Sequence, residues 1–326
     1  MCTAIGYQGK DFYFGRNLDL ESSYGEQVTI TPRNLPLPFR RAKPLEHHHA
    51  MIGMAHAVGG YPLYFEATNE WGLSMAGLNF PKNACYGEEI PGKDNISPFE
   101  FIPWILGQCK TLAQARILLD RLVLVNIPFS PQLPLSPLHW IVADQTGAVT
   151  VESTREGLRI YENPMGILTN NPPFPFHLSY LSHFSAASAA PRTGNFPESW
   201  GIADYSRGMG SLSLPGDWSS ASRFVRAAFV KANAPTYATE EEAVCHFFHM
   251  LEAVEVPRGC MILESGMDEY TIYSSCCNAS RGIYYYKTYG RSRVTGVDKH
   301  RENLDGQELI RYPRLTNLDI QLQGRN

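Results

Sequence analysis

Nowhere in its 326 residues does this chain approach the ~20 consecutive apolar residues that cross a bilayer as a helix. No membrane partner is therefore expected. The opening stretch carries Asp11, Arg16 and Asp19, which excludes the uninterrupted apolar core of a secretory leader, so a cytoplasmic protein is expected. Lys and Arg total 28 against 32 Asp and Glu, a net charge of −4, and a balance so mild and mixed excludes the footprint of a nucleic-acid binder. There is no Gly-rich phosphate loop and no internal repeat, and no cofactor is expected. The seven cysteines (Cys2, Cys85, Cys109, Cys245, Cys260, Cys276, Cys277) follow no regular spacing and include no Cys-x-x-Cys pair. An odd count without a leader argues for reduced thiols in a cytosol instead of a disulfide framework. The one metal-like run is Glu46-His47-His48-His49. Adjacent residues of an extended chain alternate direction, so this Pro-flanked stretch is read as a solvated loop and no metal site is expected.

What is present is apolar mass. Hydrophobic residues make up 44% and charged residues 18%, enough to bury a substantial core as one large domain or two ordinary ones. Aromatic residues at 12% leave room for a pocket lined by Phe, Tyr and Trp.

Residues 2–8 and 11–16 read as two strands rich in Thr, Ile, Tyr and Phe, turned at Gly9-Lys10. A two-residue loop would set Cys2 opposite Asn17. A three-residue loop through Asp11 would set it opposite Leu18, with Arg16 on the same face. Arg16 and Asp19 differ by three, so a straight strand points them to opposite faces, and both serve one site only if the strand ends or bulges between them. Further strands are expected at 26–32, 50–58, 61–68, 72–79, 138–144, 147–153, 157–161, 270–276, 282–287 and 292–297. Helices are expected at 98–109, from Thr111 with Leu112, Ala115, Leu118, Leu119 and Leu122 buried, at 220–234 started by Ser219 or Ser220, and at 239–253 with a Thr239/Glu242 capping box. Residues 126–137 and 185–219 read as loops. Strands at both ends of the chain can join one sheet system, so 1–326 is read as a single α+β domain.

Cys2 directly follows Met1, and a cysteine is small enough for the initiator to be removed routinely. The chain would then begin with an amine and a thiol on one residue. A free α-amine titrates near ~8 and a free thiol near ~8.5, so a base and a nucleophile are both close to usable at neutral pH. Along the chain, polar groups stand out at the ends of apolar elements: Arg16 and Asp19 on the hairpin, Asn79 and Asn170 at strand ends, and Arg223 in the first turn of a helix.

These positions, with several separated segments in order, resemble the choloylglycine hydrolase family, which contains bile salt hydrolases and penicillin V acylases. The segments are Met1-Cys-Thr, Gly15-Arg-Asn-Leu-Asp19, Asn69-Glu-Trp-Gly-Leu73, Ala76-Gly-Leu-Asn-Phe-Pro81 and Leu138-His-Trp140. Leu168-Thr-Asn-Asn-Pro172, Leu214-Pro-Gly-Asp217, Ser222-Arg-Phe224, Gly282-Ile-Tyr-Tyr-Tyr286 and Glu302-Asn-Leu-Asp-Gly306 continue the match. The resemblance implies an N-terminal nucleophile hydrolase, a four-layer αββα sandwich of two antiparallel sheets, and a homotetramer. It implies Cys2 as nucleophile with its own amine as base, Arg16 as the cation beside the thiol, and Asp19 orienting the amine. Asn79 and Asn170 would form the oxyanion hole, and Arg223 would complete the polar cluster. Asn79 matches bile salt hydrolases, where penicillin-preferring relatives commonly carry Tyr. Leu18, Phe65, Phe129 and Leu133 fall where the family builds a steroid-facing pocket, and Arg207 lies where it can meet the carboxylate or sulfonate of a conjugated bile salt. The implied substrate is thus a small amide, a glycine- or taurine-conjugated bile salt, with penicillin V or an acyl-homoserine lactone as the alternative on the same catalytic set. From a different class, a binding or metal-sequestering role would rest on His47–His49 and the cysteines.

Overall fold

Strand-forming segments from the two ends of the chain pair side by side, and this pairing decides where the N-terminus lies. The computed structural model describes residues 1–192, 194 and 196–324. Its strands are β1 (Cys2–Gln8), β2 (Phe12–Leu20), β3 (Gln27–Thr31), β4 (Met51–Val58), β5 (Tyr61–Asn69), β6 (Ser74–Asn79), β7 (Asp94–Ile96) and β8 (Leu122–Leu124). They continue with β9 (Leu138–Asp144), β10 (Gly147–Thr154), β11 (Gly157–Glu162), β12 (Ile167–Leu168), β13 (Tyr270–Asn278), β14 (Ile283–Thr288), β15 (Arg291–Asp298) and β16 (Ile310–Pro313). The helices are α1 (Phe101–Gln108), α2 (Leu112–Leu119), α3 (Phe174–Ser182), α4 (Ser220–Ala232) and α5 (Glu240–Glu252).

Two antiparallel sheets carry the fold. A six-stranded sheet runs β12-β1-β2-β13-β14-β15, and an eight-stranded sheet runs β11-β10-β9-β6-β5-β4-β3-β16. One apolar cluster joins Phe14, Tyr273 and Tyr284 of the first sheet to Ile52, Met54, Leu78 and Ile141 of the second, and takes in Phe224 of α4 and Phe247 and Leu251 of α5. A second cluster covers the far face of the eight-stranded sheet, where Phe101 and Ile105 of α1 and Leu112 of α2 meet Trp140 and Val142. The layers are therefore helix, sheet, sheet, helix, as the resemblance implied. At Gly15 a Cβ would run into the Ser275 carbonyl, so only glycine lets β2 and β13 approach this closely, one residue before Arg16.

Most expected elements appear within a few residues, and the departures have physical causes. No element was expected over 174–182, where α3 forms with Pro173 and Pro175 at its start. Proline is tolerated in a first helical turn, whose N–H groups lack partners anyway, and Phe174 and His177 bury the helix. Strands β7, β8 and β16 span only three or four residues, too few to show alternation. Leu122 belongs to β8 and not to α2, whose buried residues are Leu112, Ala115 and Leu119. Within 185–219, positions 193 and 195 lie outside the described residues. The remainder holds only the single turns Glu198–Trp200 and Met209–Ser211. The histidine run is not wholly solvated: His48 is buried, with its ring nitrogens at the carbonyl oxygens of His49 and Leu35.

Candidate active site

The hairpin at the N-terminus takes the longer loop. Gln8 pairs with Phe12 across Gly9-Lys10-Asp11, which puts Cys2 opposite Leu18 and Ala4 opposite Arg16. Cys2, Arg16 and Leu18 consequently share one face of the sheet, and all three are buried. Strand β2 neither ends nor bulges between Arg16 and Asp19. The irregularity lies instead on its neighbour, where β13 shifts register between Thr271 and Tyr273 opposite Asp19 and Leu18. There Thr271 Oγ1 donates to Asp19 Oδ1 at 2.7 Å, while Asp19 Oδ2 lies 3.8 Å from Arg223 Nη1.

Helix α4 delivers Arg223. Ser219 caps the helix by accepting from Ser222 N, and the Asp217 carboxylate just ahead of it complements the partial positive charge of the helix start. A guanidinium in a first turn is disfavoured by that same dipole, and this one is held by a full set of acceptors. Arg223 Nε donates to Trp218 O at 3.0 Å, Nη1 to Cys2 O and Thr3 Oγ1 at 2.6 Å each, and Nη2 to Asn170 Oδ1 at 2.8 Å. Burial lowers its pKa, and the nearby Asp19 and Cys2 oppose the shift.

Asn170 follows β12 and stands at the centre of the cluster. Its Oδ1 also accepts from Cys2 N at 2.8 Å, and its Nδ2 donates to Asn79 O at 2.7 Å, so the ends of β6 and β12 are tied together beside the cysteine. The backbone of Asn170 is fixed in turn: its N–H donates to Ser220 Oγ at 2.7 Å, and its carbonyl oxygen lies 2.9 Å from His177 Nε2.

Arg16 reaches across to the other sheet. Its Nη1 donates to Gly77 O at 2.7 Å and to Phe65 O at 3.1 Å. Burial disfavours charge here, but Cys2, Tyr273, Glu66 and Asp19 together outweigh it and raise the pKa. Met1 caps the arrangement. Its amine donates to Asp19 O at 2.8 Å and pairs with the Glu269 carboxylate. Burial lowers the pKa of that amine; Cys2 and Asp19 pull it up, and Arg223 and Arg16 add to the lowering.

Around the cysteine at the start of β1 thus lie two buried guanidiniums, a buried carboxylate and the side-chain amide of Asn170, which is bonded to the backbone carbonyl of Asn79. The family model for linear amide C–N hydrolases of the choloylglycine hydrolase family matches residues 2–312. The chain belongs to the choloylglycine hydrolase family. It is 52% identical to the bile salt hydrolase/transferase of Lactiplantibacillus plantarum, over 96% of this chain and 97% of that one. To the conjugated bile acid hydrolase of Lactobacillus gasseri it is 36% identical, over 96% of this chain and 100% of the relative. Among solved structures, a mutant conjugated bile acid hydrolase from Clostridium perfringens superposes with a TM-score of 0.90 at 32% identity, covering 99% of this chain and 100% of the other. The penicillin V acylase of Agrobacterium tumefaciens shares the fold, with a TM-score of 0.76 at 18% identity over 95% of this chain and 90% of that one.

The six residues expected from the sequence to do chemistry, Cys2, Arg16, Asp19, Asn79, Asn170 and Arg223, lie in this one region, Asn79 linked to it through its backbone carbonyl. Of the residues expected in the pocket, Leu18 and Phe65 belong to the apolar cluster that contains Cys2. Phe129 packs on Phe99 and Tyr61, with ring centroids 5.2 Å and 6.0 Å away, at the edge of the second cluster. Leu133 pairs with Ser130 in a short bridge, and Arg207 is exposed. Thr3, Thr271 and Glu66 were not singled out from the sequence, and Ser220 only as a candidate helix start. Hydroxyl residues and a strand carboxylate carry no distinguishing spacing, and only the three-dimensional pairing reveals their part.

Proposed function

We propose that this chain hydrolyses the amide bond of glycine- and taurine-conjugated bile salts, with Cys2 as nucleophile once Met1 has been removed. The observation that carries the reading is the Cys2 nitrogen, buried and bonded to Asn170 Oδ1 at 2.8 Å, while Arg223 grips the Cys2 carbonyl. This is how an α-amine would be held if the chain began at Cys2. Burial lowers the pKa of the Met1 amine, and an amine one residue further in would meet the same desolvation. Lowering its pKa enlarges the neutral fraction of an amine at a given pH, and the neutral form is the one that acts as a base.

The proposed cycle has two halves. The Cys2 α-amine takes the thiol proton, the sulfur attacks the amide carbonyl, and a tetrahedral oxyanion forms. When the C–N bond breaks, the protonated amine gives its proton to the leaving glycine or taurine nitrogen, which leaves a thioester on Cys2. The neutral amine then takes a proton from water, whose oxygen attacks the thioester, and that proton returns to the departing thiolate. Side-chain amides of Asn79 and Asn170 supply oxyanion donors that do not change their own charge. Asn170 Nδ2 carries two N–H groups, and the bond to Asn79 O leaves the other without a partner among the described residues. Leu18 and Phe65 would meet the steroid face. Phe129, Leu133 and Arg207 would join from their loops, Arg207 toward the carboxylate or sulfonate.

The substrate class is supported by relatives named as bile salt and conjugated bile acid hydrolases. The same reading takes 1–326 as one catalytic domain, assembling as a homotetramer in the cytoplasm. To test it, purified chain with a verified Cys2 start is incubated with taurocholate and glycocholate, and released amino acid is measured. Release that disappears in Cys2→Ala supports the reading. No release, or a kcat/KM for penicillin V above that for every bile salt, overturns the substrate.

A further inference from the structure

Arg16 is fully buried, yet its Nη2 meets no hydrogen-bond acceptor among the described residues. Its other donors are engaged by Phe65 O, Gly77 O and, at 3.4 Å, Asn17 O. A carboxylate stands beside it, with Glu66 Oε2 3.9 Å from Nε. A buried guanidinium and carboxylate ordinarily close into a two-point fork. These two do not, because Glu66 is already occupied. Ser275 Oγ donates to its Oε1 at 3.0 Å, Tyr284 OH donates to the same oxygen, and Tyr273 OH donates to Oε2 at 2.7 Å.

A bulge puts Glu66 there. Strand β4 pairs Met54 with Glu66 and Ala55 with Tyr64, so Phe65 is an extra residue in β5. Tyr64 and Glu66 would otherwise share a face. With the bulge, Tyr64 lies in the outer cluster under α1, whereas Glu66 points between the sheets to meet Tyr273 and Tyr284. The carbonyl of the bulged residue accepts from Arg16 Nη1, as does Gly77 O.

We propose that Glu66, restrained by Tyr273, Tyr284 and Ser275, is the positioning residue for Arg16: it balances the guanidinium from a distance and leaves the Nη2 donors free for the Cys2 sulfur. The register supports this, since Arg16 and Cys2 share a face of adjacent strands. Of the groups near Arg16, Cys2 is also the one that most favours its charge. This inference rests on Cys2 being the nucleophile and assigns the neighbouring cation its support.

The hydroxyls and the carboxylate act through one another, so the test is a mutant cycle. Tyr273→Phe/Tyr284→Phe removes two restraints and lets Glu66 close on Arg16. Turnover should fall about tenfold or more with KM changed less than about twofold, the signature of an interaction used in the reaction and not in binding. In a Glu66→Gln background the same pair of tyrosine changes should add less than about twofold, because no carboxylate remains to close. A structural role would give the same loss in both backgrounds, and that result overturns the proposal, as does unchanged turnover in the tyrosine variant. The alkylation rate of Cys2 by iodoacetamide is measured in parallel on chains starting at Cys2. It should slow in the tyrosine pair and differ by less than about twofold between Glu66→Gln and the triple variant. Because this readout needs no substrate, it separates failure of this inference from failure of the bile salt reading.

Discussion

Asn170 Oδ1 accepts from both Cys2 N and Arg223 Nη2, each at 2.8 Å, so one amide oxygen links the cysteine to the helix that carries the second guanidinium. The same side chain donates to Asn79 O through Nδ2. Asn170→Ala removes all three bonds. It should lower kcat by about 10²–10³-fold, as losing an oxyanion donor does. Steady-state kinetics on a conjugated bile salt measures this, and a loss confined to KM would place Asn170 in binding alone.

Arg223 is buried and offers a planar fork to Cys2 O, Thr3 Oγ1, Asn170 Oδ1 and Trp218 O. Lysine has one compact ammonium and cannot meet acceptors on so many sides. Arg223→Lys should therefore be far less active although charge is kept. Arg223→Met should also destabilise by about 3–5 kcal/mol, because Asp19 is left buried without its nearby cation. Denaturant melts of the two variants separate these effects, and a fully active Arg223→Lys enzyme would remove the geometric claim.

Hydrogen bonds from Ser219 and Ser222 hold the Asp217 carboxyl down from the ordinary 3.8 to about 2. A carboxylate depressed on folding adds stability above its unfolded pKa and loses it as pH falls through the folded one. Between about pH 4 and pH 2 the protein should therefore lose stability that Asp217→Asn does not have to lose. Thermal melts across that range should show a shallower decline in the variant, and a lower Tm at pH 7 because the helix carrying Arg223 has lost its leading anion. Parallel pH curves would count against the assignment.

Gly15→Ala places a methyl group on the Ser275 carbonyl. Backbone cannot yield as a flexible side chain would, so β2 must move off β13. Destabilisation of at least about 1–3 kcal/mol is expected, with activity lost together with stability since Arg16 is the next residue. Urea unfolding measures it, and an unchanged midpoint would mean that the strands are less tightly joined than the contact implies.

Much of this was legible in the sequence, for identifiable reasons. Ser219 before α4, and Thr239 with Glu242 before α5, are local capping signals that need no tertiary context, and both form. The hairpin that brings Arg16 and Asp19 beside Cys2 follows from strand propensity and a turn. Its register did not, because Gly9-Lys10-Asp11 permits a loop of either length and only the packed sheet chooses. Asp19 is held by Thr271 of β13, a strand some 250 positions away whose register shift no local pattern of β2 reports. Glu66 was hidden for a similar reason: the bulge at Phe65 resets the alternation of β5 and turns inward a carboxylate that a regular strand would place with Tyr64. Helix α3 was masked by its prolines. The candidate site residues could be picked out by type and by the family resemblance, while the groups that orient them depend on long-range pairing.

The most direct measurement joins the mass of the N-terminus to turnover on one preparation. Chain lacking Met1 should release glycine or taurine from conjugated bile salts and become acylated on Cys2, while chain that retains Met1, and Cys2→Ala lacking it, should do neither. Undiminished turnover by chain shown to retain Met1 would contradict an N-terminal cysteine as nucleophile and base.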